Sequence, residues 1–543
     1  MSSPSAPARP SERAARVGAA ERVGAAEWLY LASVVAFWAI FVISRGEDRA
    51  WDFRNYHWYI PYAFLHGRMA IDVAVAHQAT FYNPFLDIPF YWLATHTRSW
   101  IALGTLGAVQ GANVIPLYFI ARSILRVQYR VLASAILSLL CMTGSLTLYL
   151  AGTTYYDNVM SVFVLAGLAL VITNRDRLRE GSLWSGVLIA FAAGLLVGSA
   201  MGLKLPEAPF ALGFAAALLV LPGDWKHRTS RLLGGGLGGV AGVALFAGFW
   251  FVTMGHLTGN PLFPYFNQFF HSPLALTASY RDMRFIPTHL KTELLFPLLF
   301  SIDWGVADDL PFHDIRVGFA YVLVIVSVLI ALFARKDRER LVTPDAAWAL
   351  LAFVAVSYIA WLKVFGIYRY ILLLEIMAPL AIVLAIDLWP VSVRTRLSIV
   401  GVALLAVVCF THADLSTRSP VGDPYIQVTI PPIAHPDRTM ILMTGETPMG
   451  FLVPSFPPEI PIVRIDGWMI APKDGSRLTA DTLARVARFA GDLYVVFNPF
   501  EAARNKDALK TYGLAIVAPK CRDIVTNLGG PYAFCPLTKA PPP

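Results

Sequence analysis

Apolar stretches of membrane-crossing length alternate with short polar segments along most of this 543-residue chain. A helix of about 20 apolar residues crosses a hydrocarbon core of about 30 Å. The pattern therefore predicts an all-α bundle of about eleven membrane-spanning helices and excludes a fully soluble fold. The predicted spans are Trp28–Ser44, Ile101–Ala121, Val131–Leu150, Val159–Thr173, Trp184–Gly202, Pro209–Leu221, Leu232–Met254, Val317–Ala334, Ala346–Lys363, Tyr370–Leu388 and Leu397–His412.

Positive charge is concentrated in every second connection between the spans. Arg and Lys cluster in segments 121–130, 174–180, 224–231, 334–340 and 393–396. Because such loops stay in the cytoplasm, we expect the opposite loops and everything after His412 to lie outside. The pattern predicts a bacterial inner-membrane protein with a cytoplasmic N-terminus. The net charge of +8 then requires no nucleic-acid partner.

After the last span, the pattern changes to short strands alternating with helices. Strands are predicted at RTMILMTG, IPIVRI, GDLYVVF and LAIVAP, with helices at LTADTLARVARFAG and FEAARNKDALKTYG. This alternation is typical of a small α/β domain. The predicted organisation is a disordered cytoplasmic tail (1–26), a transmembrane catalytic body (27–412), a Pro-rich linker (413–437) and a periplasmic α/β domain (438–543).

The four cysteines divide between the two parts of the chain. Cys141 and Cys409 lie in apolar spans, where cysteine behaves as a small core hydrophobe. Cys521 and Cys535 lie in the predicted periplasmic domain, an oxidising compartment in which a disulfide persists. No CxxC or HExxH spacing occurs, so the residues indicate no metal site.

The most polar chemistry lies in the first predicted external loop. The segment WDFRNYHWY (51–59) places Asp52 among aromatic and hydrogen-bonding side chains, and FYNPFLDIPFYWL follows before the second span. A second long external segment, 255–316, carries aromatic residues with Arg281 and Arg284. The first segment favours interfacial helices, and a groove between the two segments could hold a lipid phosphate at the membrane surface.

These features resemble the GT-C superfamily of polyprenyl-phosphate-sugar-dependent glycosyltransferases, of the mannosyl- and arabinosyltransferase type. The resemblance is carried by Asp52 after the first span, GTTYYDN before the fourth, GLKLPE after the fifth, YRY at the tenth, and the exported C-terminal domain. The first loop has no DxD motif, which puts a metal site like that of some relatives in doubt. A divalent metal stays open but is not indicated.

The resemblance implies an inverting transfer from a polyprenyl-phosphate sugar to a hydroxyl of a glycan, lipid or protein. Asp52 would be the general base, with Asp157 as a second catalytic candidate. Lys204, Arg281 and Arg369 would bind phosphate. The remaining candidate substrate-binding residues are Trp51, Tyr56, His57, Gln78, Tyr82, Asn83 and Tyr370.

Simpler roles for these residues remain open at this stage. Asp52 and Asp157 could cap helices, and Lys204 could extend along a span end towards the lipid headgroups. Arg369 could pair with Glu375. Trp58, Tyr82 and Tyr91 could form an aromatic belt at the membrane surface. The alternative functions are a lipid-linked oligosaccharide ligase or polymerase, and a multi-pass transporter.

Overall fold

The structure is a computed structural model that describes residues 23–333 and 339–539. Residues 1–22 of the predicted tail and Ala334 of the eighth predicted span lie outside the described residues. Each predicted span coincides with helical structure. Outside the two long loops, the helices of this body are Ala25–Arg45, Ser99–Gly111, Val114–Ile124, Arg130–Cys141, Ser145–Tyr149, Asp157–Thr173, Arg175–Glu180, Leu183–Leu203, Ala208–Val220, Trp225–Thr258, Arg316–Phe333, Pro344–Val364, Leu372–Asp387 and Val393–Cys409.

Seven helical segments of the described chain are long and apolar enough to cross a membrane. They are Ala25–Arg45, Ser99–Ile124, Leu183–Leu203, Trp225–Thr258, Arg316–Phe333, Pro344–Val364 and Tyr368–Asp387. Three shorter apolar helices accompany them: Arg130–Cys141, Asp157–Thr173 and Leu205–Val220. The third predicted span breaks between the helices Arg130–Cys141 and Ser145–Tyr149. At this break a Cβ on Gly144 would collide with the Glu375 carboxylate, so Gly144 lets the two segments pack closely. This protein is therefore a helical membrane bundle.

Glycines bring two long helices of the bundle into close contact. A Cβ on Gly194 of Leu183–Leu203 would collide with the Gly235 carbonyl oxygen, and one on Gly238 would collide with the Phe191 carbonyl oxygen. Small residues allow helix backbones to approach this closely. The glycine-rich segment 232–242 thus mediates helix packing.

One helix lies at the centre of the bundle. In the apolar stretch of the segment Tyr368–Asp387, 94% of the residues are buried, whereas 28% are buried in that of Ala25–Arg45. We call Leu372–Asp387 the central helix; a single 3₁₀ turn, Tyr368–Ile371, precedes it. Residues of this turn are consequently surrounded by several other helices and by loops.

The first long loop folds into short helical pieces. They are a π-helical turn Phe53–His57, the helix Tyr59–Leu65, the 3₁₀ turns Arg68–Ala70, His77–Phe81 and Pro84–Leu86, and the helix Ile88–His96. The second long loop contains Asn267–Phe270, Leu290–Ile302 and the 3₁₀ turn Trp304–Val306. Phe53, Tyr59 and Ile60 are buried. The first loop is therefore packed within the protein.

The C-terminal domain is built on a seven-stranded sheet. Its strands are β3 Val428–Thr429, β4 Thr439–Met443, β5 Ile462–Arg464, β6 Asp492–Phe497, β7 Leu514–Ile516, β8 Arg522–Thr526 and β9 Tyr532–Lys539; β1 Glu47–Asp48 and β2 Arg418–Ser419 form a separate pair. The order is β3-β8-β9-β6-β4-β5, with β7 also on β9. β4 runs parallel to β5 and β6, whereas β9 is antiparallel to β6, β7 and β8.

Two helices, Arg477–Arg488 and Ala502–Thr511, connect the strands of this domain at the predicted places. Ser476 caps the first of them by accepting a hydrogen bond from the Thr479 backbone. The 3₁₀ turns are Pro436–Arg438, Gly450–Ser455, Pro499–Glu501 and Ala518–Lys520. The four predicted strands match β4 to β7, and β3, β8 and β9 are additional. A disulfide joins Cys521 to Cys535.

The C-terminal domain is docked on the first loop. The Val73 backbone N–H donates to the Ile462 carbonyl oxygen at 3.0 Å, and Arg464 N donates to the Val73 carbonyl oxygen at 2.9 Å. Arg68 Nη2 donates to the Ile460 carbonyl oxygen at 2.7 Å. These contacts continue the sheet onto the loop that carries Asp52.

Of the two remaining cysteines, Cys141 is buried and Cys409 is exposed. The expectation that Cys409 is a core residue was therefore wrong, because it lies on the outward face of the helix Val393–Cys409.

Candidate functional site

Asp52 lies where the first loop begins its π-helical turn, and its side chain turns towards the central helix. Its Oδ2 accepts a hydrogen bond from the Tyr56 hydroxyl at 2.9 Å. The same oxygen accepts one from Arg369 Nη1 at 3.1 Å. Asp52 makes no side-chain capping hydrogen bond to the backbone, so the capping interpretation was wrong.

Arg369 is held in the turn before the central helix. Its backbone N–H donates to Asp308 Oδ2 at 2.6 Å. Its guanidinium lies 4.1 Å from the ring centroid of Tyr155 and 5.3 Å from that of Tyr370. Aromatic rings stabilise a nearby cation, so this surrounding fixes the charge close to Asp52.

The alternative pairing of Arg369 with Glu375 was wrong. Glu375 instead accepts hydrogen bonds from the Thr147 backbone at 2.8 Å, from the Thr147 hydroxyl at 2.7 Å and from the Tyr368 hydroxyl at 3.0 Å. These bonds occupy its carboxylate at the start of the helix Ser145–Tyr149. Glu375, in the first turn of the central helix, thus holds the helix Ser145–Tyr149 in place.

Lys204 and Asp157 form a buried ion pair beside this site. Lys204 Nζ contacts Asp157 Oδ1 and donates to the Tyr155 carbonyl oxygen at 2.8 Å. Its ammonium also lies 5.6 Å from the ring centroid of Tyr370. Both cations therefore share Tyr155 and Tyr370. We call Asp52, Arg369, Lys204 and Asp157 the charged cluster.

Tyrosines form one wall of the charged cluster. The rings of Tyr56 and Tyr82 meet edge to face at 5.5 Å, and the Tyr82 and Tyr265 hydroxyls are 2.5 Å apart. Burial, with the nearby Asp52 carboxylate, raises the pKa of Tyr56 well above its usual value, and burial raises those of Tyr82 and Tyr265. These phenols stay neutral and can donate hydrogen bonds.

Two tyrosines of the site were not identified from the sequence. Tyr155 lies in the GTTYYDN motif two residues before the predicted Asp157, and this closeness in sequence was the available signal. Tyr265 lies in the second long loop, among many aromatic residues. Its position gave no indication that it meets Tyr82, a residue 183 positions away.

The predicted residues His57, Gln78 and Asn83 lie in the first long loop but make no described side-chain contact with the charged cluster. His57 pairs with Asp87 at 2.7 Å, and both are buried. Burial raises the pKa of Asp87, although the neighbouring His57 opposes this shift. Asn83 Nδ2 donates to the Phe246 carbonyl oxygen at 2.8 Å. Gln78 Oε1 is buried and has no hydrogen-bond partner within the described ranges.

Trp51 and Arg281 lie away from the charged cluster. The Trp51 ring stacks on Trp468 of the C-terminal domain, with centroids 4.8 Å apart. Arg281 lies in the second long loop, where its guanidinium donates to Met283 Sδ. No described contact brings Arg281 to the charged cluster.

Trp58 and Tyr91 do not form a membrane-surface belt. Their rings meet at 4.9 Å, and both side chains are buried. Trp58 also stacks on Tyr425, which follows the last helix. The belt interpretation was therefore wrong for these two residues, which pack inside the protein.

Acidic, histidine and cysteine side chains do not gather into a group of three or more that could hold a metal ion anywhere in residues 23–333 or 339–539.

No family model matches this chain, and no curated protein matches it. Among solved structures, it is similar to the crystal structure of ArnT from Cupriavidus metallidurans bound to undecaprenyl phosphate. The identity is 14% and the TM-score is 0.42, over 94% of this chain and 100% of the other. A likeness this distant assigns no chemistry.

Proposed function

We propose that this protein is a GT-C-type integral membrane glycosyltransferase. It moves a sugar from a polyprenyl-phosphate donor to an acceptor hydroxyl at the external membrane surface. The observation that carries this proposal is the convergence of Asp52 and Arg369. They are 317 residues apart in sequence, yet their side chains meet at 3.1 Å. A second cation, Lys204, lies beside them and shares two aromatic neighbours with Arg369.

The cluster contains the groups that an inverting transfer needs. The acceptor oxygen forms a bond to the anomeric carbon, and the bond from that carbon to the phosphate oxygen breaks. The hydroxyl proton moves to Asp52, and the polyprenyl phosphate leaves with the bonding electrons. General-base assistance of this kind contributes roughly 10²–10⁴-fold. A single displacement inverts the anomeric configuration.

Arg369 and Lys204 supply positive charge for the leaving phosphate. Arg binds phosphate with two parallel donors, whereas Lys acts as a point charge. Arg369 Nε is buried and has no hydrogen-bond partner among the described residues. This donor is therefore available to a phosphate oxygen. Engagement of the phosphate draws Arg369 away from Asp52 and leaves the carboxylate more basic.

Asp157 has a positioning role in this proposal. It holds Lys204 next to the Tyr155 carbonyl oxygen. The Asp157 side chain is 2% exposed and that of Asp52 is 17% exposed, so Asp52 is the more accessible base. Asp157 becomes the next candidate if Asp52 proves dispensable.

The test is transfer by membranes supplied with radiolabelled polyprenyl-phosphate sugars. Asp52→Asn keeps the shape of the side chain but removes the base, so we expect transfer to fall by about 100-fold or more. Asp507→Asn, on the surface of the C-terminal domain, is the matched control and should transfer normally.

Near-normal transfer by Asp52→Asn would show that the base lies elsewhere and would favour the ligase or polymerase alternative. If the wild-type protein consumes no polyprenyl-phosphate sugar from a panel of hexose and pentose donors, the enzyme class is wrong.

A further inference from the structure

An aromatic stack joins the first loop to the C-terminal domain. Trp51, the residue before Asp52, stacks on Trp468 with centroids 4.8 Å apart and planes 19° apart. His77 stacks on the same Trp468 ring at 5.2 Å. We call Trp51, Trp468 and His77 the indole stack. It lies outside the charged cluster and has no part in the chemistry proposed above.

The C-terminal domain holds Trp468 in a fixed position. The Trp468 backbone N–H donates to His77 Nδ1 at 3.2 Å. Burial lowers the pKa of His77 well below its usual value, and the nearby Arg464 lowers it further. His77 therefore stays neutral and keeps this acceptor. A Cβ on Gly467 would collide with the His77 ring, so only glycine allows the two segments to approach this closely.

Despite this anchoring, Trp468 is 48% exposed. Packing within the protein accounts for the stacked part of the indole, but it does not account for the part that is open to solvent. Side chains of this kind are typical anchors of binding surfaces, because they provide a large contact area with little conformational entropy to lose.

Glu446 lies next to the Trp468 side chain and is itself paired with Arg504. Arg504 Nε donates to Asp466 Oδ2 at 2.6 Å, and Arg504 also pairs with Glu446. Arg504 and Glu446 are each 41% exposed. Burial raises the pKa of Glu446, but hydrogen bonds from Arg504 and the Trp468 side chain outweigh this effect and lower it. Glu446 is thus an ionised acceptor beside the ring.

We infer that the exposed face of Trp468, with Arg504 and Glu446, is a binding subsite for a carbohydrate acceptor. This inference rests on the proposed function and deepens it. A sugar ring lays its C–H face on the indole while its hydroxyls bond to the carboxylate and guanidinium. Trp51 of the stack directly precedes Asp52, so the first loop connects this subsite to the candidate base.

A carbohydrate fits this surface better than a peptide does. The surface combines one apolar face, the Trp468 ring, with two charged planar groups, the Arg504 guanidinium and the Glu446 carboxylate. A peptide in extended form would need a free sheet edge, and the nearest strand, β5, already pairs with Val73 of the first loop on its outer side. The nearby surface can therefore bind hydroxyl groups, but β5 has no free edge to which a peptide strand could add.

The experiment compares full-length Trp468→Ala with wild type in lipid nanodiscs. Fluorescently labelled neutral oligosaccharides of hexoses and pentoses are titrated without donor, and binding is measured by polarisation. With donor present, the half-saturating oligosaccharide concentration is measured for transfer. We expect Trp468→Ala to weaken both by about 10-fold or more and to leave donor binding unchanged. Phe500→Ala, an 85% exposed aromatic of the same domain, should behave like wild type.

The outcomes separate this inference from the proposed function. Equal oligosaccharide binding and equal half-saturation in wild type and Trp468→Ala would overturn the subsite while transfer itself stands. Label that enters protease-sensitive material in place of oligosaccharide would overturn the carbohydrate assignment. Oligosaccharide binding that depends on Trp468 would support the subsite even if no donor is consumed, and in that case only the proposed transfer fails.

Discussion

An aspartate pairs with arginine at each end of the central helix, but the two carboxylates differ in how many of their oxygens accept hydrogen bonds. At the last residue of this helix, Asp387 is fully buried. Its oxygens accept hydrogen bonds from the Leu341 backbone at 2.6 Å, from Arg396 at 2.9 Å and from Arg340 at 2.5 Å. Each oxygen of this carboxylate is occupied. The group connects three segments of the body and has no capacity left for a substrate.

At the opposite end, Asp52 faces the turn before the same helix. One of its oxygens is bound by Tyr56 and Arg369, while Oδ1 accepts no hydrogen bond from the described residues. Its side chain is 17% exposed. An unoccupied carboxylate oxygen on a partly exposed side chain therefore distinguishes the candidate reactive pair Asp52–Arg369 from the structural group at Asp387.

The largest expected effect concerns the structural end. Asp387→Asn leaves Arg396 and Arg340 without their anion, and breaking a buried pair costs roughly 3–5 kcal/mol. We expect a clear loss of thermal stability in detergent, but near-normal transfer per folded molecule. Asp52→Asn should show the reverse, with little change in stability. A similar transfer defect in both variants would remove the distinction between the two ends.

Arg369→Lys tests whether two parallel donors are needed at the reactive end. The variant keeps the charge but loses the planar arrangement, so we expect transfer to fall by about 10-fold, which corresponds to roughly 1.4 kcal/mol. Titration of donor lipid should show weaker binding. Arg340→Lys is the matched change at the structural end, and it should leave donor binding unchanged.

Tyr56→Phe should have a smaller effect. It removes one hydrogen bond to Asp52 Oδ2, which contributes roughly 0.5–1.5 kcal/mol, so transfer should change by about tenfold or less. The steady-state pH profile is the measurement. Its maximum should be lower than that of wild type, because Asp52 loses a hydrogen bond that orients its carboxylate. An unchanged profile would show that Tyr56 only packs.

The smallest effect involves Asp308, whose carboxylate accepts the Arg369 backbone N–H. Burial raises its pKa to about 6, although Arg369 partly opposes this shift. Below that pH the carboxyl becomes protonated, so transfer should fall by about threefold as this hydrogen bond weakens. Because the folded pKa is higher than the unfolded one, stability should rise slightly as pH falls through 6. Asp308→Asn should flatten both trends.

The sequence predicted the body of the protein well, because apolar length is a local property of the chain. The strands β4 to β7 were also predicted from local alternation. β9 was missed because Pro536 lies within it, and proline argues against a strand. β3 was missed because two residues inside a proline-rich segment give no periodic signal.

The candidate site was predictable only in part, for a similar reason. Asp52, Lys204 and Arg369 were selected because each lies at the end of a span or in an external motif. Their convergence depends on how distant helices pack, which residue spacing does not report. Tyr265 and Trp468 lie in segments without regular patterns, so nothing local distinguished them from other aromatic residues.

The pairing of β1 with β2 has a consequence for biosynthesis. Glu47 and Asp48 lie immediately before the reactive loop, and they pair with Ser419 and Arg418, which the ribosome adds more than 350 residues later. Until that late segment emerges, the loop that carries Asp52 lacks its neighbouring strand. A nascent chain with all its membrane helices inserted is thus still incomplete at its candidate site, whose neighbouring strand is added only in the last quarter of translation.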